Sequence, residues 1–291
     1  MIRGSIVALV TPMHASGEVA WPELDALVDW HIAAGTHGLV PVGTTGESAT
    51  LDVNEHLHVI EAVVGRAAGR IPVIAGTGAN STAEAIHQTQ EAQRLGADAC
   101  LLVTPYYNRP TQAGLIAHFE AIAGAAQGPL VLYNVPPRTA CDMQAATVAE
   151  LAKIDTIVGI KEACGDPERV GQIRALVDEN FTILSGEDAQ TLRMMELGAN
   201  GTISVSANVI PELMAGFIDT ALSGDLAGAA KLDAKLQEIH AAMFVESSPT
   251  PVKWALHEMG RVSAGIRLPL LPLTDANQST VRTALTTAGA L

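Results

Sequence analysis

A chain of 291 residues, 48% hydrophobic and only 16% charged, has the material for a well-filled core in one large domain or two small ones. Its formal charge of −14 argues against nucleic acid and anionic membrane surfaces as partners, so an anionic substrate needs a local positive site set against the overall field. Cys100, Cys141 and Cys164 show no paired spacing, which suits a reducing cytosol, and no apolar run approaches the ~18 residues of a membrane span. A soluble, cytoplasmic protein is expected.

Strand-like segments recur at 5–11, 38–43, 71–76, 99–104, 129–135, 157–162, 181–185 and 201–206. Most are rich in Val, Ile and Leu without alternation, as strands of a parallel sheet covered on both faces should be. Helical periods lie between them. Leu24, Leu27, Val28 and Ile32 share one face, as do Ile60, Val63, Val64 and Ala67, and Ser81 to Glu84 has the S-x-x-E pattern of a capping box. Roughly eight strand–helix units predict a (β/α)8 TIM barrel over 1–224. Alternation alone leaves a doubly wound open sheet as the other solution. From 225 to 291 the pattern is helical, with Leu232, Leu236, Ile239 and Met243 in one stripe and Pro249 to Met259 in another. This predicts a C-terminal helical extension packed on the barrel or on a neighbour.

In a barrel the reactive groups sit where strands end. The second strand runs into Gly43-Thr44-Thr45-Gly46-Glu47-Ser48, a glycine turn whose N–H groups and hydroxyls suit a carboxylate. The third is followed by Gly76-Thr77-Gly78-Ala79-Asn80, and the fourth by Thr104-Pro105-Tyr106-Tyr107-Asn108. The fifth ends in Tyr133-Asn134-Val135-Pro136-Pro137-Arg138-Thr139. Tyr133 is either a proton shuttle or a core tyrosine, and Arg138 either a fork for a carboxylate or a surface arginine. The sixth carries Lys161 in the apolar run Ile157 to Ala163. A lysine there snorkels or pairs with Glu162, or it is a desolvated amine poised to form a Schiff base with a carbonyl. The seventh ends in Ser185-Gly186-Glu187-Asp188. Gly76-x-Gly78-x-x-Ser81 lacks the third glycine of a dinucleotide loop, and the nine histidines include no HExxH, so neither a nucleotide nor a metal is expected. Cys164 reads as a buried inert thiol.

The motifs GTTGES at 43–48, TPYYNRP at 104–110, YNVPPRT at 133–139, GIKEA at 159–163 and SPTPVK at 248–253 together resemble the dihydrodipicolinate synthase family of pyruvate-dependent class I aldolases, over essentially the whole chain. N-acetylneuraminate lyase belongs to the same group. The resemblance implies a homotetramer, a dimer of dimers, in which Lys161 forms a Schiff base with pyruvate. Tyr133 then relays protons with Thr44 and with Tyr107 from the adjoining subunit. Thr45, with backbone help near Ile203 and Gly186, binds the pyruvate side, and Arg138 the carboxylate of L-aspartate 4-semialdehyde. The implied reaction is condensation and cyclisation to 4-hydroxy-tetrahydrodipicolinate in diaminopimelate and lysine synthesis, without a cofactor. A sister aldolase for sugar acids and a non-catalytic small-acid sensor are the rival readings. The resemblance further implies an L-lysine effector site at Ser48, Ala49, His56, Asn80, Glu84 and Tyr106. Val53 stands there where the family often has a polar or aromatic residue, which predicts weak inhibition. Pro137 replaces the usual small residue before Arg138, so the loop that aims Arg138 is expected to differ slightly.

Overall fold

In the computed structural model, which describes residues 2–291, strands and helices alternate along the chain. They are β1 Gly4–Ala8, α1 Trp21–Ala33, β2 Gly38–Val40, α2 Val53–Ala67, β3 Ile74–Gly76, α3 Thr82–Arg94, β4 Ala99–Val103, α4 Gln112–Ala125 and β5 Leu130–Asn134. Then follow α5 Pro136–Thr139, α6 Ala145–Leu151, β6 Ile157–Glu162, α7 Glu168–Arg174, β7 Thr182–Ser185, α8 Thr191–Glu196, β8 Gly201–Ser204 and α9 Pro211–Leu222. The strand order is β2-β1-β8-β7-β6-β5-β4-β3, parallel throughout. Its two ends meet. Leu39 bridges Val73, the Leu39 N–H donates to Pro72 O (3.0 Å), and the Gly76 N–H donates to Pro41 O (3.1 Å). Closure excludes the open sheet.

Except for β6, which spans 157–162 as expected, the strands are shorter than their apolar runs. Pro41 and Pro72 have no N–H to give and serve the ladder only as acceptors. Beyond Ser204 the chain turns into a short 3-10 segment, Ser206–Asn208, instead of continuing as strand to 206.

Alternation within each strand divides the core in two. Ile6, Ala8, Val40, Ile74, Ala99, Leu101, Val131, Leu184 and Ile203 fill the barrel, while Val7, Leu39, Cys100, Leu102, Leu132, Ile160 and Ile183 face the helices. Both faces are apolar, so the sequence shows no alternation even though the side chains do alternate in space.

The helical faces match with three corrections: on α2 the buried set is His56, Val59, Ile60, Val63 and Ala67, with Val64 only half-buried. On α1 the buried set is Leu24, Leu27, Val28 and His31, with Ile32 only half-buried. Burial pushes the His31 imidazole down to about 3, and one ring nitrogen lies 3.1 Å from the Thr36 hydroxyl. At α3 the Ser81 hydroxyl accepts from the Glu84 N–H, but the Glu84 carboxylate accepts from Gln88 (3.1 Å) instead of closing a box. The complete capping box belongs to Asp52 and Glu55 at the start of α2.

The tail forms α10 Leu226–Ala242, α11 Thr250–Glu258 and α12 Asp275–Thr287. Leu236, Ile239, Met243, Val252, Leu256, Val281 and Leu285 join the same apolar cluster as the outer layer of the barrel. The tail therefore shares one core with the barrel.

Candidate active site

Register brings the chemistry together. β5 and β6 pair with Tyr133 beside Lys161; Tyr133 belongs to the inward cluster, and Lys161, two residues before its member Ala163, lines the cavity on the same face. Lys161 is 6% exposed, with its Nζ 4.5 Å from the centroid of the Tyr133 ring. The next residue, Glu162, points the other way. It accepts from Asn134 Nδ2 (3.0 Å) and the Cys164 N–H (2.9 Å), so it is not the partner of Lys161.

Two glycines make room. A Cβ on Gly186 would stand 2.8 Å from Lys161 Cε and 2.7 Å from Ala163 Cβ, and one on Gly159 would stand 2.6 Å from Thr182 O. Gly186 thus belongs to the site because nothing larger fits beside the lysine stem.

Lys161, Tyr133, Thr44, Thr45, Arg138, Gly186 and Glu187 line a cavity of about 60 Å³. That is space for roughly four or five waters, or one small acid. In the glycine turn the Gly46 and Ser48 amides donate to Gly43 O (3.0 and 3.3 Å) and that of Glu47 to Thr44 O (3.1 Å). Gly46 therefore does not present its N–H to an anion, as the sequence had suggested. The amides of Thr44 and Thr45 have no backbone acceptor among the described residues, and with their hydroxyls they are the donors left for a carboxylate.

Arg138 stands exposed at the mouth, its guanidinium donating to Ser248 O (3.2 Å). Pro136 and Pro137 open the single turn of α5. At the first positions of a helix an N–H has no intrahelical acceptor, so Pro137 costs no hydrogen bond and its ring pre-sets the turn. The Arg138 and Thr139 amides both reach Val135 O (2.9 and 3.1 Å).

The remaining residues fall less evenly. Ile203 packs inside the barrel, and the cavity wall on that side is Val205. Tyr107 is 91% exposed, has a left-handed φ of 73°, and does not line the cavity of its own chain. Glu187, noticed in the sequence only as part of a strand exit, lines the cavity. Burial pushes its carboxyl upward against the pull of Lys161 and Arg138. Cys164 is half-buried rather than buried, and desolvation raises its thiol to about 11, which leaves it inert. Gly76 and Gly78 answer to crowding, not to phosphate, since their Cβ atoms would meet Val42 O at 2.4 Å and Val103 N at 2.3 Å.

Ser48, Ala49, Val53, His56, Glu84 and Tyr106 line a second, larger cavity of about 420 Å³ that shares Thr44 and Arg138 with the first. Asn80 is not in its wall but holds it, donating to Tyr106 O (3.2 Å) and accepting from Asn108 (2.8 Å). His56 does not lie on a solvated face. It is buried against Gly76 O (2.7 Å), and desolvation lowers its pKa. Its spacing of four from Ile60 was the signal.

A buried amine inside a parallel barrel, with hydroxyls beside it and a guanidinium at the mouth, defines a lysine-dependent, class I aldolase. The model of the dihydrodipicolinate synthetase family matches residues 1–288, and the chain belongs to that family. It is 55% identical over 291 residues to the 4-hydroxy-tetrahydrodipicolinate synthase of Pseudomonas savastanoi pv. phaseolicola, covering 100% of both chains. The dihydrodipicolinate synthase of Acinetobacter baumannii complexed with pyruvate superimposes with a TM-score of 0.99 at 50% identity, again over 100% of both. That of Cyanidioschyzon merolae with lysine bound gives 0.97 at 38% identity, over 99% of each chain.

Proposed function

We propose that this chain condenses pyruvate with L-aspartate 4-semialdehyde and closes the product to 4-hydroxy-tetrahydrodipicolinate, the step that commits carbon to diaminopimelate and lysine. The observation that carries the reading is the Lys161 amine, buried inside the barrel in a cavity sized for a small acid.

The amine, in its unprotonated form, adds to C2 of pyruvate; the resulting carbinolamine takes up a proton and loses water, giving a protonated imine. That imine is the electron sink, and C3 loses a proton to become an enamine carbon. C3 attacks the aldehyde carbon, whose oxygen takes up a proton. The amino group of the semialdehyde then adds to the imine carbon, expels Lys161 and closes the ring. Tyr133 is the proton carrier, with Thr44 beside it. The donors of Thr45 take the pyruvate carboxylate, and Arg138 at the mouth takes that of the semialdehyde. Sodium borohydride added with pyruvate should leave a reduced three-carbon adduct on Lys161, located by peptide mass. No adduct, or one on another lysine, refutes the reading.

Tyr107 completes the relay in a neighbouring subunit of a homotetramer. Support comes from an exposed phenol on a left-handed backbone, away from its own cavity. L-lysine binds the larger cavity as an inhibitor, with Glu84 taking the ammonium group. The lysine bound to the Cyanidioschyzon relative supports this. Val53 offers no hydrogen bond at the rim, which costs on the order of 1 kcal/mol, several-fold in affinity. Titration of L-lysine into the assay should give inhibition that Glu84→Ala abolishes. An unchanged rate at high millimolar lysine would make these residues purely structural.

A further inference from the structure

The SPTPVK motif supplies the Ser248 carbonyl to Arg138, and its last residue makes the most deeply buried ion pair among the described residues. Lys253, near the start of α11, bonds the Glu47 carboxylate, and their side chains are 4% and 0% exposed. Glu47 is the fifth residue of the glycine turn, directly after Thr44, Thr45 and Gly46, and it holds a left-handed φ of 58° without being glycine. The other oxygen of its carboxylate accepts from the Arg267 N–H (3.1 Å), also from the tail. Arg267 in turn grips Glu55 with both arms (2.7 Å each) and donates to Thr50 O (2.8 Å), so the segment after the turn is tied to the same strut.

A non-glycine residue persists in that conformation only where its surroundings over-determine it. Here the surroundings include a buried cation 206 positions away in the chain. Burial disfavours the charge on Lys253, and Glu47 offsets it. Removing one member strands the other in the interior, where an unpaired charge drives rearrangement. The part free to rearrange is the turn, because Lys253 sits within a regular helix.

We propose that Lys253 is a positioning residue for the carboxylate site. Through Glu47 it sets the turn that aims the Thr44 and Thr45 donors at the substrate carboxylate, so the C-terminal extension is part of the pyruvate site without touching pyruvate. The inference rests on the Schiff-base reading of Lys161.

The test is the pyruvate concentration that half-saturates borohydride trapping on Lys161, measured without the second substrate. Lys253→Met keeps the stem and removes the charge. A donor displaced by about 1 Å costs up to roughly a hundred-fold, and a rise of about ten-fold or more in half-saturation is expected, with Lys253→Arg recovering most of it. A pair that only supports the fold would lower the melting temperature and leave half-saturation unmoved. That result, in Lys253→Met shown to be folded by circular dichroism, overturns the proposal. If Lys253→Met does not fold, Glu47→Gln is read the same way, with a several-fold rise expected and no rise overturning it. Failure of the unaltered protein to trap pyruvate on Lys161 removes both this inference and the reading beneath it. Normal trapping there, with variants indistinguishable from it, removes this inference alone.

Discussion

Lys161 and Glu162 are neighbours on one strand, both buried, and they are treated in opposite ways. Glu162 faces the helices and finds its partners in the protein. Asn134 donates to both its oxygens (3.0 and 3.2 Å), Cys164 donates its N–H, and Asn134 is itself bonded to Asp142, which Arg169 holds with two bonds (3.1 and 3.0 Å). Lys161 faces the cavity, where its neighbours are the Tyr133 ring, the glycine at 186 and the Glu187 carboxyl. A buried polar group is tolerable when its hydrogen bonds are made. The outer face makes them and is closed to chemistry. The inner face leaves room beside the amine, and that room is what a substrate enters.

This contrast predicts that inner-face changes act on turnover and outer-face changes on stability. The largest effect belongs to Lys161→Arg. A guanidinium that never loses its proton cannot be the nucleophile, so turnover should fall on the order of a thousand-fold or more while the melting temperature barely moves. A large loss of stability instead would erase the distinction between the faces. Mixing inactive Tyr107→Phe and Lys161→Ala subunits should restore part of the activity, because some sites then combine an intact lysine with a neighbour's intact phenol. No recovery, with mixed oligomers shown to exist, places Tyr107 in its own subunit's site.

Arg138→Ala comes next. Loss of a charge-assisted anchor worth about 1.5–3 kcal/mol should raise the semialdehyde requirement about 10- to 100-fold and spare pyruvate. Equal damage to both substrates would show that the bond to Ser248 O, which supports the loop, is its main contribution.

The change with the smallest effect on turnover acts on stability and sharpens the outer face. Burial pushes the Glu162 carboxyl up from 4.5 to about 7. The folded chain therefore keeps a proton that the unfolded chain releases between those values, and stability falls as pH rises through that window. The contribution is absent below about 4.5, and above about 7 its full cost is on the order of 3 kcal/mol. Glu162→Gln cannot ionise, so its melting temperature relative to the unaltered protein should climb between pH 5 and 8. Parallel curves would mean that Glu162 stays charged throughout.

The strand–helix alternation, the motifs that carry Lys161 and Tyr133 and the glycine turn are legible because each rests on local spacing or on a short motif. The burial of His56 is not legible, because its polarity conceals what its spacing of four from Ile60 would suggest. Glu187 is not legible as a site residue, because an acidic residue at a strand exit has many ordinary explanations. Neither spacing nor composition could show that the Gly46 and Ser48 amides would be spent on Gly43 O, since that depends on how the turn closes.

By itself the sequence determined the order and approximate extent of the elements, the apolar character of both sheet faces and the motifs that mark the family, all properties carried within a few residues. The tertiary structure decided that β2 meets β3 to close the barrel, that Lys161 and not Glu162 faces the cavity, that Tyr107 points away from its own site, and that Lys253 pairs with Glu47. Those outcomes join residues up to 206 positions apart, and they are set by register and by the cost of leaving buried charges unpaired, which local propensity does not encode.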